Sequence, residues 1–331
     1  MTFNARHSMA LRAFGVALAL TLAGAAGSVQ AKEYTVGFVP KLVGIPYFAA
    51  MKKGMDKAGK KFGLKIVYQG PSTADVAQQA DIVQSLINQG LDAIGVAANS
   101  PTAFDPLVTQ ARKKGIVFYS TDSQVTSPDN QLRVQQVRDK ALGFKVVDVL
   151  AKQLNGKGKI AIISGGPTAT NLNTWIKFMK QRLKKYPNLH LVDLQYAGED
   201  VNKATTVANQ LISAYPDLDG IIGVNTTAVP GAAQAVLTSG KKGKIVVTGI
   251  SDPNTIRPYV TSGVVKEVVL WNPVDLGYLT GWGVKQLLDG KHFKAVNNVP
   301  GLGKVKYFPK TKTLLLGPPM VIDKSNIQMD F

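Results

Sequence analysis

Ala93-Ile94-Gly95-Val96-Ala97 carries no charged or polar side chain across five consecutive residues. A run this short cannot span a bilayer, which takes roughly 20 apolar residues, and it has no polar face to turn toward water. Such a segment reads as a strand covered on both sides, the mark of a parallel sheet between layers of helices. On either side of it, residues 36–39, 66–68 and 117–120 read as further strands, and residues 47–62, 76–88 and 103–114 as amphipathic helices. Strand and helix alternate as βαβ units. The rhythm stops at a polar stretch, residues 126–136, and then resumes. Strands are expected at 160–164, 191–194, 220–224, 245–248 and 267–270, and helices at 175–186, 203–214, 229–239, 256–262 and 274–288. A loose segment, 292–300, precedes an extended stretch, 313–322. The pattern predicts an α/β fold of two Rossmann-like lobes, each built on a parallel sheet.

Open parallel sheets bind ligands beyond the carboxyl ends of their strands, and in a two-lobed arrangement those ends can face each other across a cleft. The residues after each strand are therefore the candidate site. They include Lys41, Tyr47, Phe48, Asp122, Asn171, Asn173, Asn225, Thr226, Thr227, Ser251 and Trp271. Amides and hydroxyls beside aromatic rings suit a sugar, whose C–H face packs on a ring and whose hydroxyls need groups that both donate and accept. Any one such residue is more commonly a turn former or a core filler. Their coincidence at one sheet edge is what points to a ligand.

The N-terminus has the order of a secretory signal: Arg6 and Arg12, an apolar run at 13–26, then the small-residue sequence Val29-Gln30-Ala31. Cleavage is expected after Ala31, with residues 1–31 removed. The formal net charge of the whole chain is +18, and the signal contributes two arginines and no acid. The remaining excess lies in scattered pairs such as Lys52-Lys53, Lys60-Lys61, Lys113-Lys114 and Lys184-Lys185, which read as solvated helix faces and not as a nucleic-acid surface. Catalytic readings find little support. His7 leaves with the signal, His190 precedes an expected strand, and His292 falls in the loose segment, so no Ser-His-Asp arrangement has a candidate. The chain has no cysteine and its histidines are isolated, which disfavours a metal site. Ser164-Gly165-Gly166-Pro167 lacks the Lys and Ser/Thr of a phosphate loop and reads as a strand-to-helix turn.

Several separate motifs then occur in one order: Val39-Pro40-Lys41-Leu42-Val43-Gly44-Ile45-Pro46-Tyr47-Phe48, Gln89-Gly90-Leu91-Asp92-Ala93-Ile94, Ser120-Thr121-Asp122-Ser123 and Trp271-Asn272-Pro273-Val274-Asp275-Leu276-Gly277. Together they resemble the ribose-type family of periplasmic sugar-binding proteins across the chain after the signal, and within it the rhamnose receptors and autoinducer-2 receptors. The resemblance implies a type I periplasmic binding fold whose hinge crosses near Gln136, Trp271 and Leu316. It places residues 32–136 with 272–316 in one lobe and 137–271 with 317–331 in the other. It matches Tyr47 and Phe48 to stacking aromatics, Asp122 to the acid that accepts from ligand hydroxyls, and Asn225 to a ligand-binding amide. Lys41, Pro230 and Ala232 match positions used by autoinducer-2 receptors. Asn171-Leu172 departs from the acid and Gln of those receptors, and with Trp271-Asn272-Pro273 looks more like the rhamnose receptors.

The same resemblance implies a monomeric, non-catalytic receptor in the periplasm, without cofactor or metal, that carries a monosaccharide to the membrane subunits of an ABC importer. A rhamnose-like deoxysugar is the expected ligand and autoinducer-2 the alternative. Two other classes compete, the first of which shares this fold. The effector domain of a sugar-responsive repressor needs a helix-turn-helix where this chain has an export signal, and a secreted α/β enzyme needs a nucleophile–base pair that the sequence does not offer. N-terminal sequencing of the exported protein should read from Lys32; a retained Met1 would refute the signal assignment.

Overall fold

The computed structural model describes Met1, residues 33–329 and Phe331. The expected signal segment and its cleavage site lie outside the described residues. The first sheet begins with β1 (Tyr34–Val39), followed by α1 (Pro46–Phe62), β2 (Leu64–Tyr68), α2 (Val76–Gln89), β3 (Ala93–Val96), α3 (Asp105–Lys113), β4 (Val117–Thr121) and β5 (Leu132–Gln135). The second comprises α4 (Asp139–Gln153), β6 (Lys157–Ser164), α5 (Thr170–Leu183), β7 (Asn188–Tyr196), α6 (Val201–Ala214), β8 (Leu218–Gly223), α7 (Ala228–Thr238), β9 (Val246–Gly249), α8 (Pro253–Thr261) and β10 (Glu267–Leu270). The chain then returns through α9 (Pro273–Leu288), β11 (Val296–Val299), β12 (Gly303–Phe308) and β13 (Thr313–Leu315), and ends on β14 (Met320–Asp323).

The larger sheet runs β11-β12-β13-β5-β4-β3-β1-β2, parallel from β13 to β2. The smaller runs β7-β6-β8-β9, all parallel. Two isolated bridges attach the β10 region to β9, and β14 pairs antiparallel with β10. The chain thus passes between the sheets three times, after β5, after β10 and after β13. Both faces of the large sheet are covered, as its apolar strands require. Ile94 and Phe118 pack with Val83, Ile87 and Val108, while Phe38 and Tyr119 pack in the cluster that holds Met51 and Met55.

Several elements differ from the sequence expectation. The polar stretch 126–136 contains β5, where only Leu132 and Val134 are buried, too few to announce a strand. Helix α4 is not expected from sequence because its apolar residues come in β-branched pairs such as Val146-Val147, which fit a strand as well as a helix. The loose segment 292–300 contains β11, which forms a hairpin with β12. This hairpin ends the sheet with one wet face, and of its residues Asn297, Val299 and Val305 are buried. Helix α5 starts at Thr170 and not near 175, so Asn171 lies in its first turn. His190 lies within β7 and not before it.

Helix α9 reaches the first sheet late in the chain and is seated there by close contact with α1. A Cβ on Gly277 would stand 2.0 Å from the Met51 carbonyl oxygen. Backbone cannot yield as a flexible side chain can. Gly277→Ala should therefore destabilise the protein by at least about 1–3 kcal/mol, read as a lower urea midpoint with unchanged slope; an unchanged midpoint would show that α9 is free to shift.

Candidate functional site

Two residues past β1, Lys41 is 3% exposed. Its backbone carbonyl accepts from Asn99 Nδ2 at 2.9 Å, which locks the loop. Its Nζ donates to Asn171 Oδ1 at 3.0 Å, from the first turn of α5, and lies 3.8 Å from Glu199 Oε1, in the turn after β7. Asp122 follows β4 with φ of 63°, a left-handed conformation that non-glycine residues adopt at a cost. One of its oxygens accepts from the Tyr47 hydroxyl at 2.7 Å and the other from Asn171 Nδ2 at 3.4 Å. Trp271, at the second crossing, donates through Nε1 to the Tyr47 oxygen at 3.1 Å. Pro46 at the start of α1 places Tyr47 and Phe48 in the first turn, where both face this group.

These side chains line one cavity between the sheets, with Trp175, Ile45, Leu172, Val224, Thr226 and Ile250 completing its wall. They leave about 30 Å³ of free space within an envelope of about 340 Å³ that extends to solvent. Of the residues expected from sequence, Lys41, Tyr47, Phe48, Asp122, Asn171, Asn225, Thr226 and Trp271 meet there. Five do not line it, among them Thr227, which is buried just before α7. Asn173 donates to the Pro167 carbonyl at 2.7 Å and closes the turn before α5. Pro230 and Ala232 are buried inside α7. Ser251 is fully buried beside the lining residue Ile250.

Asn225 lines the cavity, yet its amide is committed within the second sheet. Its oxygen accepts from Ala228 N at 2.8 Å, capping α7, and its nitrogen donates to Glu199 at 2.6 Å and to the Gly198 carbonyl at 3.2 Å. Gly165 makes room for that pair, since a Cβ there would lie 2.8 Å from both Asn225 Nδ2 and Glu199 Oε1. The glycine turn that only resembled a phosphate loop thus serves close packing. Glu199, which sequence reading missed, takes the polar position. Its signal was present: Gly198-Glu199-Asp200 comes just after a strand and precedes a helix capped by Asp200.

The cavity holds one ammonium and two carboxyls. Burial pushes Asp122 above its ordinary value, against the opposing effect of Lys41 and the Tyr47 hydroxyl. Burial also raises Glu199, against Lys41 and the Asn225 amide, with Asp122 adding to the rise. Burial and the adjacent Asp122 push the Tyr47 hydroxyl up as well. Among the described residues, no group of three or more His, Asp or Glu side chains could hold a metal ion, and no helix is long and apolar enough to cross a membrane.

Residues 36–292 match a family model described as the periplasmic binding protein domain. The chain belongs to the periplasmic binding protein family. This binding protein is 28% identical over 269 residues to the D-allose-binding periplasmic protein of Escherichia coli (strain K12), covering 79% of this chain and 85% of that one. It is 30% identical over 261 residues to the xylitol-binding protein of Mycolicibacterium smegmatis, covering 76% and 72%. Its fold superposes with a TM-score of 0.85 on an ABC transporter solute-binding protein from Clostridium phytofermentas with bound L-rhamnose, at 27% identity and covering 90% of this chain and 98% of that one. It superposes equally, at 0.85, on LsrB from Clostridium saccharobutylicum in complex with AI-2, at 26% identity and covering 90% and 100%. These relatives are solute-binding proteins and not enzymes.

Removing the ammonium would leave two buried carboxylates without their counter-charge, so Lys41→Met should cost roughly 3–5 kcal/mol of stability at neutral pH. Glu199→Gln keeps an acceptor for Asn225 and removes one carboxylate. Because the folded pKa of Glu199 is raised, the native state binds its proton more tightly than the unfolded chain does. The stability this provides is complete below the ordinary carboxylate range and is lost as pH rises through the raised value. Thermal melts should show the two proteins alike near pH 4 and Glu199→Gln pulling ahead toward pH 7; parallel curves would contradict the charge arrangement.

Proposed function

We propose that this binding protein captures a small polyhydroxylated sugar, and foremost a rhamnose-like deoxysugar, by closing two lobes on it. In the periplasm it then delivers the sugar to the membrane subunits of an ABC importer. The observation that carries this reading is the meeting of Lys41, Asp122, Asn171 and Glu199 from both sheets in one cavity walled by Tyr47, Phe48, Trp175 and Trp271. Hydroxyls find charged acceptors and donors there, and a sugar's C–H face finds rings. Ile45, Leu172, Val224 and Ile250 supply surface without hydrogen-bonding groups. A methyl group can lie on it, whereas a hydroxymethyl would be left unpaired at a cost of roughly 1–3 kcal/mol. The free space is too small for a pyranose as the lobes stand, so entry requires them to part.

We take the lobes to be residues 32–136 with 272–316 and 137–271 with 317–331, hinged where the chain passes between the sheets. Lys41, Tyr47, Phe48, Asp122, Asn171 and Trp271 are assigned to ligand contact, joined by Glu199 and Trp175; Asn225 is assigned to holding Glu199. The AI-2 reading is supported by the likeness to LsrB and by Lys41 and Asp122 sharing the Asn171 amide.

A thermal-shift panel of L-rhamnose, D-allose, xylitol and AI-2 tests the ligand, since a ligand at a hundred times its Kd adds about 2.7 kcal/mol of stability. Scattering should show compaction with the ligand that binds. Asp122→Ala should weaken binding about ten- to a hundredfold in a protein that still folds, and Asn171→Asp should shift preference toward AI-2. Failure of every panel member to bind would overturn the sugar reading.

A further inference from the structure

We propose that Asp139 is a positioning residue for the cavity: from the first crossing between the lobes it holds the Trp175 indole in place as a wall, tying that ring to the hinge. The proposal rests on reading the cavity as the ligand site. Asp139 is the first residue of α4, and both of its carboxylate oxygens bond outside that helix. Oδ1 accepts from Trp175 Nε1 at 2.7 Å, and Oδ2 accepts from Gln135 Nε2 at 2.8 Å. Gln135 ends β5 in the first sheet, while Trp175 belongs to α5 beside the second. One carboxylate thus joins the two lobes at the point where the chain crosses between them. Burial raises the Asp139 pKa and the two donors oppose the rise. Charged acceptors make the shorter and stronger bonds, which suits a group that must fix a large ring.

Trp175 is 2% exposed and lines the cavity. Its ring lies 5.6 Å from Trp271, at the second crossing, and Trp271 donates to Tyr47, which donates to Asp122. The third crossing joins at the other end. The Gln135 carbonyl accepts from Leu316 N at 2.9 Å and the Gln136 carbonyl from Gly317 N at 3.1 Å. All three crossings therefore meet in one relay, Gln135–Asp139–Trp175–Trp271–Tyr47–Asp122. Asp139 and Trp175 belong to the same lobe, so rotation at the hinge moves Gln135 against the pair and strains its bond to the carboxylate; a ligand pressed on the ring is felt at the hinge through that bond.

The test uses the full mature chain. Its three tryptophans, Trp175, Trp271 and Trp282, give three indole N–H resonances, assigned with Trp175→Phe. Asp139→Ala should shift the Trp175 resonance upfield, leave that of Trp282 in place and weaken L-rhamnose binding about tenfold. Asp139→Asn keeps an oxygen acceptor and should restore affinity to within about threefold of wild type. In the Trp175→Phe background, Asp139→Ala should add no further loss. An unmoved Trp175 resonance in Asp139→Ala, or an equal loss without the indole, would mean that Asp139 only supports α4, and the proposal would fall. If wild-type protein does not bind L-rhamnose, the rhamnose reading fails by itself, and the indole resonance still decides whether Asp139 holds Trp175.

Discussion

An ammonium taken out of water costs several kcal/mol unless charge and hydrogen bonds replace the lost hydration. Lys41, at 3% exposure, meets that condition only because groups from distant parts of the chain converge on it. Asn171 is 130 residues away and Glu199 farther still, and both belong to elements of the other sheet. The same amide that accepts from Lys41 donates to Asp122, so a single side chain touches both first-sheet charges. The proposed closure would act directly on this arrangement. Parting the lobes would return Lys41 and Asp122 to water, while a ligand with hydroxyls could replace Asn171 between them.

The scaffold behind these charges is rigid where it needs to be. Asp122 is held in a left-handed backbone conformation at a strand end, a strain that tends to persist only where the surroundings over-determine it. Asn225 caps α7 and orients Glu199, and Gly165 gives that pair its space. The aromatic wall is pinned at its edges, Trp271 to Tyr47 and Trp175 to Asp139. Large rings with few rotatable bonds then offer contact area at little entropic cost.

Legibility in the sequence tracks the physics of each element. Long periodic helices and strands buried on both faces announce themselves, and β10 has the bounds in the structure that its sequence suggests. Short half-buried elements do not: β5 buries two side chains, and the β11–β12 hairpin has one wet face. The strand-end rule found Lys41, Asp122 and Asn225, since position after a strand is a local property. It missed Glu199 because β7 runs on to Tyr196, past the point where its apolar residues stop. It missed Trp175 because α5 begins a turn earlier than its apolar residues suggest, which moves that ring from the start of a helix to the wall of the cavity.

By itself the sequence determined the α/β alternation, the paired sheets and the family, because hydrophobic periodicity and turn chemistry act over a few residues and leave local marks. Only the tertiary structure decided which strand-end residues face the cavity and which are used up in holding the fold. Asn225 and Asn173 are alike in sequence character, yet one lines the cleft while serving a carboxylate and a helix cap, and the other closes a turn. The reason is that a polar group's role depends on what already occupies its hydrogen bonds, and those partners come from segments far apart along the chain.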